Sequence, residues 1–289
     1  MRSSKGLKQS PPVVLSVAGS DSGAGAGIQA DLKTASALGG YAVTVITAVT
    51  AQNTSGVSHV EPMSPASVEA QLESVLADFP VAAVKIGLVP DRPIAEVIGA
   101  VLKVRDRIPV VLDPVGSASA GGAMADETAR DALIHVLFPR TTLLMPNVNE
   151  TFALSGLLTG TEVSEQSPAD EEATLIAAGR KLLALGPSHV LLKGGHRSGA
   201  QAVDVLLSRG SEPQRFSGPR LRVRNDHGTG CTLSTAITVE LARGNSMVQA
   251  IARAKRYVVG ALSGADTLDL GAGAGPLDHF FERSMRSDT

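Results

Sequence analysis

From Val13 onward, short apolar runs alternate with amphipathic stretches of helical period. That alternation limits the chain to layered folds in which helices cover a sheet. The runs Val13–Ala18, Ala42–Thr50, Ala83–Ile86, Val110–Asp113, Leu143–Met145, His189–Lys193 and Gln201–Leu207 read as strands. They are rich in β-branched residues and apolar on both faces, as strands buried between two helical layers should be. Helices are expected over Ile28–Leu38, Pro65–Phe79, Asp91–Arg105, Ala125–Leu137, Ala169–Leu185, Thr232–Arg243 and Ser246–Ser263. In the first, Ile28, Leu32, Ala35 and Leu38 share one face. The expected fold is α/β, a three-layer α-β-α sandwich around a largely parallel central sheet. Segment 208–225 reads as loops with a short strand near Leu221–Val223, and Tyr41–Val49 is a conceivable exposed sheet edge. Residues 1–12 are expected to be a disordered N-terminal tail, and residues 13–289 one domain.

Composition narrows the function. Twenty-six Lys and Arg against 28 Asp and Glu give a net charge of −2, which argues for no nucleic acid partner. The apolar runs fall well short of the roughly 20 residues that span a bilayer, so no membrane partner is expected. One Cys in 289 residues excludes an internal disulfide framework and fits a cytoplasmic setting.

In parallel sheets ligands sit beyond the carboxyl ends of the strands, so chemistry is expected from the residues there. Ala18-Gly19-Ser20-Asp21 through Gly27-Ile28 follows the first strand and opens a helix. Its glycines allow close backbone approach to a ligand. The loop can be a small-molecule site, a structural turn or a dinucleotide fingerprint, although Ile28 stands where the third glycine of GxGxxG belongs. Asp226-His227-Gly228-Thr229-Gly230-Cys231-Thr232 can converge amides on an anion at a helix start, or be a glycine-rich cap. A thiol at Cys231 in that first turn is expected to be partly exposed, its thiolate favoured. Asp113-Pro114-Val115 ends a strand with a carboxylate. Asn147 and Glu150 stand three apart at a strand–helix junction, as helix caps or as oxygen ligands for Mg²⁺. Lys193-Gly194-Gly195-His196 sets a cation after another strand. Each alone has a structural explanation. Together, at one sheet edge, they suit phosphoryl transfer.

These residues carry a resemblance. Asn147-x-x-Glu150 with the late Gly-x-Gly helix start resembles the ribokinase-like superfamily of sugar, vitamin and nucleoside kinases. With Gly25–Thr34, Thr50-Ala51-Gln52-Asn53-Thr54, Lys85-Ile86-Gly87, Asp113-Pro114-Val115, Lys193–His196, His227–Thr232 and Gly275-Pro276-Leu277-x-His279-Phe280, the chain resembles the hydroxymethylpyrimidine/phosphomethylpyrimidine kinases. The resemblance implies ATP-dependent phosphorylation of 4-amino-5-hydroxymethyl-2-methylpyrimidine, then of its monophosphate, for thiamine biosynthesis. It places the pyrimidine near Gly19, Asp31 and Gln52, with Leu88 and Val115 as apolar walls. Gly228, Thr229, Gly230 and Cys231 would hold the migrating phosphoryl group. Lys193 and Asp113 would lie on the nucleotide-phosphate side, and Asn147 with Glu150 would position Mg²⁺. Cys231 takes the place of the base Asp of sugar kinases, so Cys231→Ala is expected to slow the first phosphorylation more than the second. A homodimer is implied as well. Leu88 and Gly116 stand where methionines are usual, which opens the alternative of a vitamin B6 kinase. Gly116–Met124 reads as a flap over the site. A nucleotide-dependent oxidoreductase and a non-catalytic relative are the competing classes.

Overall fold

The computed structural model describes residues 10–116, 125–156, 168–195 and 201–282. Most of the expected N-terminal tail, most of the expected Gly116–Met124 flap, and His196 lie outside the described residues.

Nine strands form a single sheet among the described residues: β1 (Val13–Asp21), β2 (Tyr41–Asn53), β3 (Gly56–Pro62), β4 (Val81–Ile86), β5 (Val110–Leu112), β6 (Leu143–Leu144), β7 (His189–Leu192), β8 (Gln201–Ser208) and β9 (Gln214–Pro219). Their order is β3-β2-β1-β4-β5-β6-β7-β8-β9. The run from β2 to β7 is parallel, while β3, β8 and β9 join antiparallel at the two edges. The helices are α1 (Gly27–Ala37), α2 (Pro65–Asp78), α3 (Arg92–Lys103), α4 (Glu127–Ala132), α5 (Val148–Ser155), α6 (Pro168–Ala184), α7 (Thr229–Ala242) and α8 (Met247–Ala265). One π turn, Leu133–Leu137, continues α4.

Strand alternation divides the core. Leu15 and Val17 of β1, with Val110 and Leu112 of β5, pack among apolar residues of α2, α3 and α6 on one face. Val111 of β5 and Leu143 of β6 pack on the other face with Leu233, Ile237 and Ile251 of α7 and α8. Successive strand side chains point to opposite faces, so both layers are built from the same short apolar runs. The three-layer sandwich is as the alternation requires. None of the described helices is long and apolar enough to cross a membrane.

Three local readings differ. β3, with the polar sequence Gly-Val-Ser-His-Val-Glu-Pro, carries no buried residue and so shows none of the apolar signal of a core strand. It pairs with Ala48–Asn53 of β2, so of the Tyr41–Val49 edge only Ala48 and Val49 gain a strand partner, and residues 41–47 remain at the edge among the described residues, with Tyr41 and Val49 exposed. The last strand lies at Gln214–Pro219, not Leu221–Val223, because Phe216 packs into the α7–α8 layer while its neighbours pair with β8.

Candidate active site

Because β1, β2, β4, β5, β6 and β7 are parallel, the residues after them emerge along one edge. Asp21, Gln52, Leu88, Asp113, Asn147 and Lys193 therefore gather there from six segments of the chain.

The start of α7 is the centre of the arrangement. Gly228 caps the helix in the left-handed conformation (φ 88°) without a side chain to claim the first amides. A Cβ there would come within 1.9 Å of the Gly25 carbonyl oxygen, so only glycine lets the two loops meet. The Thr229 amide and hydroxyl both donate to the Asp226 carbonyl. The amides of Gly230 and Cys231 meet no acceptor among the described residues, as expected of a helix's first turn. They are unclaimed donors at the positive end of a 14-residue helix.

Facing them is a charged cluster. Lys193 Nζ donates to Asp113 Oδ1 at 2.5 Å and lies 3.7 Å from Glu150 Oε2. A Cβ on Gly230 would stand 3.4 Å from Asp113 Oδ2 and 3.6 Å from Lys193 Nζ, which places the helix start directly over the pair. Ser234, one turn along α7, donates to Asp113 Oδ2 at 3.3 Å. Burial by itself would drain charge from Lys193, but Asp113 and then Glu150 outweigh it and hold the ammonium above its ordinary value. Burial, followed by Asp113, raises the Glu150 carboxyl against the pull of Lys193. Asn147 caps α5 through Oδ1, and Glu150 Oε2 returns a bond to the Asn147 amide at 2.7 Å. The capping role of the pair is thus realised, and the same Oε2 is the oxygen that lies near Lys193.

The loop after β1 forms the second half. The register of β1 shifts between Ala18 and Ser20, and Gly19 lies against Leu88, whose Cδ2 a Cβ would approach to 2.9 Å. Asp21 Oδ1 accepts the Gly23 amide, and Oδ2 accepts those of Gly25 and Ala26. His227 lies against Gly25 and touches both Asp21 Oδ2 and Gln52 Nε2. Val115 stands half-buried two residues beyond Asp113, and a Cβ on Gly116 would meet nothing within 4 Å among the described residues.

Two expectations are corrected. Asp31 does not open on this edge: it has no exposed surface, and its oxygens are taken by Lys85, Ser16 and Thr235. Lys85 is equally buried, and although burial opposes its charge, Asp31 keeps the ammonium above its ordinary value. Cys231 is half-buried, and burial pushes its thiol up to about 11, against Lys85 and the Gly27 amide. Desolvation thus favours the protonated thiol, not the thiolate expected at a helix start. The sequence carries no sign of the roles of Lys85 and His227, because a buried ion pair and a three-segment contact leave no local pattern.

Among the described residues no three His, Cys, Asp or Glu side chains form a metal cage. The donors at hand are the carboxylates of Asp113 and Glu150 beside an anion site. That set fits Mg²⁺, which binds through one or two carboxylates, water and substrate phosphates.

Known proteins agree with this geometry. The phosphomethylpyrimidine kinase family matches residues 21–278. A hydroxymethylpyrimidine/phosphomethylpyrimidine kinase of Rhizobium meliloti is 44% identical over 93% of this chain and 97% of its own. The crystal structure of the phosphomethylpyrimidine kinase of Clostridium difficile is 38% identical, covering 86% of this chain and 98% of its own with a TM-score of 0.71. An ADP complex of Bacillus subtilis pyridoxal kinase is 32% identical, covering 95% of this chain and all (100%) of its own with a TM-score of 0.82. The fold is ribokinase-like, and the chain belongs to the phosphomethylpyrimidine kinase family.

Proposed function

We propose that this chain transfers the γ-phosphoryl group of ATP to the hydroxymethyl oxygen of 4-amino-5-hydroxymethyl-2-methylpyrimidine, and then a second one to the monophosphate, for thiamine biosynthesis. The observation that carries this reading is the pair of unclaimed amides at Gly230 and Cys231 set over Lys193 and Asp113. Such donors stabilise the equatorial oxygens of a phosphoryl group in transit without reorganising. Lys193 neutralises charge on the nucleotide phosphates. Asp113 and Glu150, oriented with the help of Asn147, would hold Mg²⁺, which would supply positive charge to the nucleotide phosphates.

On the other side of α7's start, Gln52 offers a donor and an acceptor to the edge of an aminopyrimidine. Gly19 lets the ring approach the backbone, with Leu88 and Val115 beside it. The contact of Gly25 with Gly228 joins the two halves, bringing the ring's hydroxymethyl group toward the phosphoryl site. The substrate oxygen bonds to the γ-phosphorus as the bond to the β-phosphate oxygen of ATP breaks, and ADP leaves. A neutral Cys231 thiol is a hydrogen-bond donor here, and the hydroxyl proton departs late in a loose transition state, onto an oxygen of the transferring phosphoryl group and then to water. The second transfer starts from a phosphate oxygen that is already ionised.

A pyridoxine-type substrate is the second reading. It is favoured by the TM-score of 0.82 to the Bacillus subtilis pyridoxal kinase. Release of ADP from ATP and Mg²⁺, measured with hydroxymethylpyrimidine, its monophosphate and pyridoxine in parallel, separates the readings. Turnover of both pyrimidines above pyridoxine is expected; no turnover of either pyrimidine overturns the assignment. A cytoplasmic homodimer is part of the proposal, with sedimentation velocity as its check.

A further inference from the structure

The contacts of His227 are contradictory as they stand. Its Nε2 lies 3.0 Å from Asp21 Oδ2 and 3.1 Å from Gln52 Nε2. A single ring nitrogen donates to a carboxylate or accepts from an amide, but not both.

Asp21 decides which. Its side chain is 3% exposed and accepts amides from Gly23, Gly25 and Ala26 at 2.8, 3.0 and 2.8 Å. Burial would push the carboxyl up, but the bonds from His227 and from the Ala26 and Gly23 amides hold it below its ordinary value. A carboxylate wrapped by three donors is an acceptor, so the hydrogen sits on His227 Nε2. Gln52 Nε2 then faces another donor. Turning the Gln52 amide by 180° brings Oε1 to His227. It also puts Nε2 where Oε1 had been, 3.2 Å from Thr50 Oγ1. Thr50 Oγ1 gives its own hydrogen to the Ser20 carbonyl at 3.1 Å, so it is free to accept. Thr50 Oγ1–H, His227 Nε2–H and one N–H of Gln52 then each meet an acceptor, which leaves the other N–H of Gln52 open. Amide oxygen and nitrogen are nearly isosteric, so this network, not shape, selects the orientation.

We infer that Asp21 and His227 are positioning residues: by fixing the tautomer of His227 they fix the amide of Gln52, and so which hydrogen-bonding edge of a flat ring the site accepts. The inference rests on the reading above, in which Gln52 meets the heterocycle. With Oε1 and Nε2 held in one order, the remaining lone pair and N–H suit a ring nitrogen next to an exocyclic amine. A ring with an oxo group in the amine's place presents an acceptor to Oε1 and is refused. Sites that hydrogen-bond a polar group discriminate strongly against its replacement.

The test compares kcat/KM for 5-hydroxymethyl-2-methylpyrimidines bearing 4-amino or 4-oxo groups in wild type, His227→Ala and Asp21→Asn. The 4-amino preference is expected to fall by about tenfold or more in both variants, since a freed amide can turn to suit either ring. An unchanged ratio overturns the relay, even where overall activity drops. A second measurement needs no variant to fold stably except for assignment. Nitrogen NMR of histidine-labelled wild type should show a proton on His227 Nε2, and an unprotonated Nε2 overturns the inference. Failure of wild type to phosphorylate either pyrimidine sinks the substrate reading alone, and the nitrogen spectrum then decides the relay.

Discussion

Lys193 reaches across β6 to place its ammonium 2.5 Å from the Asp113 carboxylate, joining the ends of two strands that do not pair. The pair lies under the open amides of Gly230 and Cys231, so the cation is held where phosphate charge must be met.

Replacing that cation tests the phosphate side. Lys193→Met should lower kcat by about 100-fold or more, the scale of losing one preorganised electrostatic contact. The KM for the heterocycle should change little, because Gln52 and its partners lie on the other loop. Steady-state kinetics on a variant shown to be folded by circular dichroism provide the check. A kcat within tenfold of wild type would remove Lys193 from the reaction.

Cys231, as the only cysteine, reports its own ionisation. With the thiol pushed up to about 11, alkylation by iodoacetamide should be slow at pH 7 and accelerate toward pH 11. A rate already at its plateau near pH 8 would mean a stabilised thiolate and return the residue to the role of base. As a neutral donor Cys231 serves both transfers, so Cys231→Ala should slow both by similar factors. This reverses the expectation drawn from a thiolate, and a much larger loss in the first transfer would restore it.

The Asp31–Lys85 pair is a structural prop beneath the site. Lys85→Met leaves a buried carboxylate without its cation and should cost about 3–5 kcal/mol. The double variant Lys85→Met/Asp31→Leu should recover part of that loss, because two apolar groups replace two charges. Urea denaturation of both proteins measures the difference. Equal destabilisation in single and double variants would show that the pair's hydrogen bonds to Ser16 and Thr235, not its charge balance, dominate.

His279 should make stability depend on pH. Burial, followed by Lys33, lowers its pKa to about 4, and Thr232 Oγ1 lies 3.1 Å from its Nε2. The unfolded chain takes up a proton at His279 near pH 6.5, before the folded protein does, so protonation favours unfolding below that value. The contribution is complete above about pH 6.5, is lost as the pH falls toward about 4, and amounts to about 3 kcal/mol. Comparing wild type with His279→Gln by denaturation across that window isolates it. Parallel pH profiles for the two proteins would be the contrary result.

The alternation of apolar runs and helical stretches, with glycine, Asn147, Asp113 and Lys193 placed just after strands, determined the layered fold and the edge where chemistry sits, since side-chain period and the positions of strand ends follow from local pattern. The polar edge strand Gly56–Pro62 escaped that reading because an exposed strand buries nothing and needs no apolar period. Only the folded chain could decide that Asp31 faces inward to Lys85, that the thiol of Cys231 stays protonated, and that His227 lies between Asp21 and Gln52. Ionisation and donor–acceptor direction depend on burial and on partners up to 206 residues away, and no stretch of sequence carries that information.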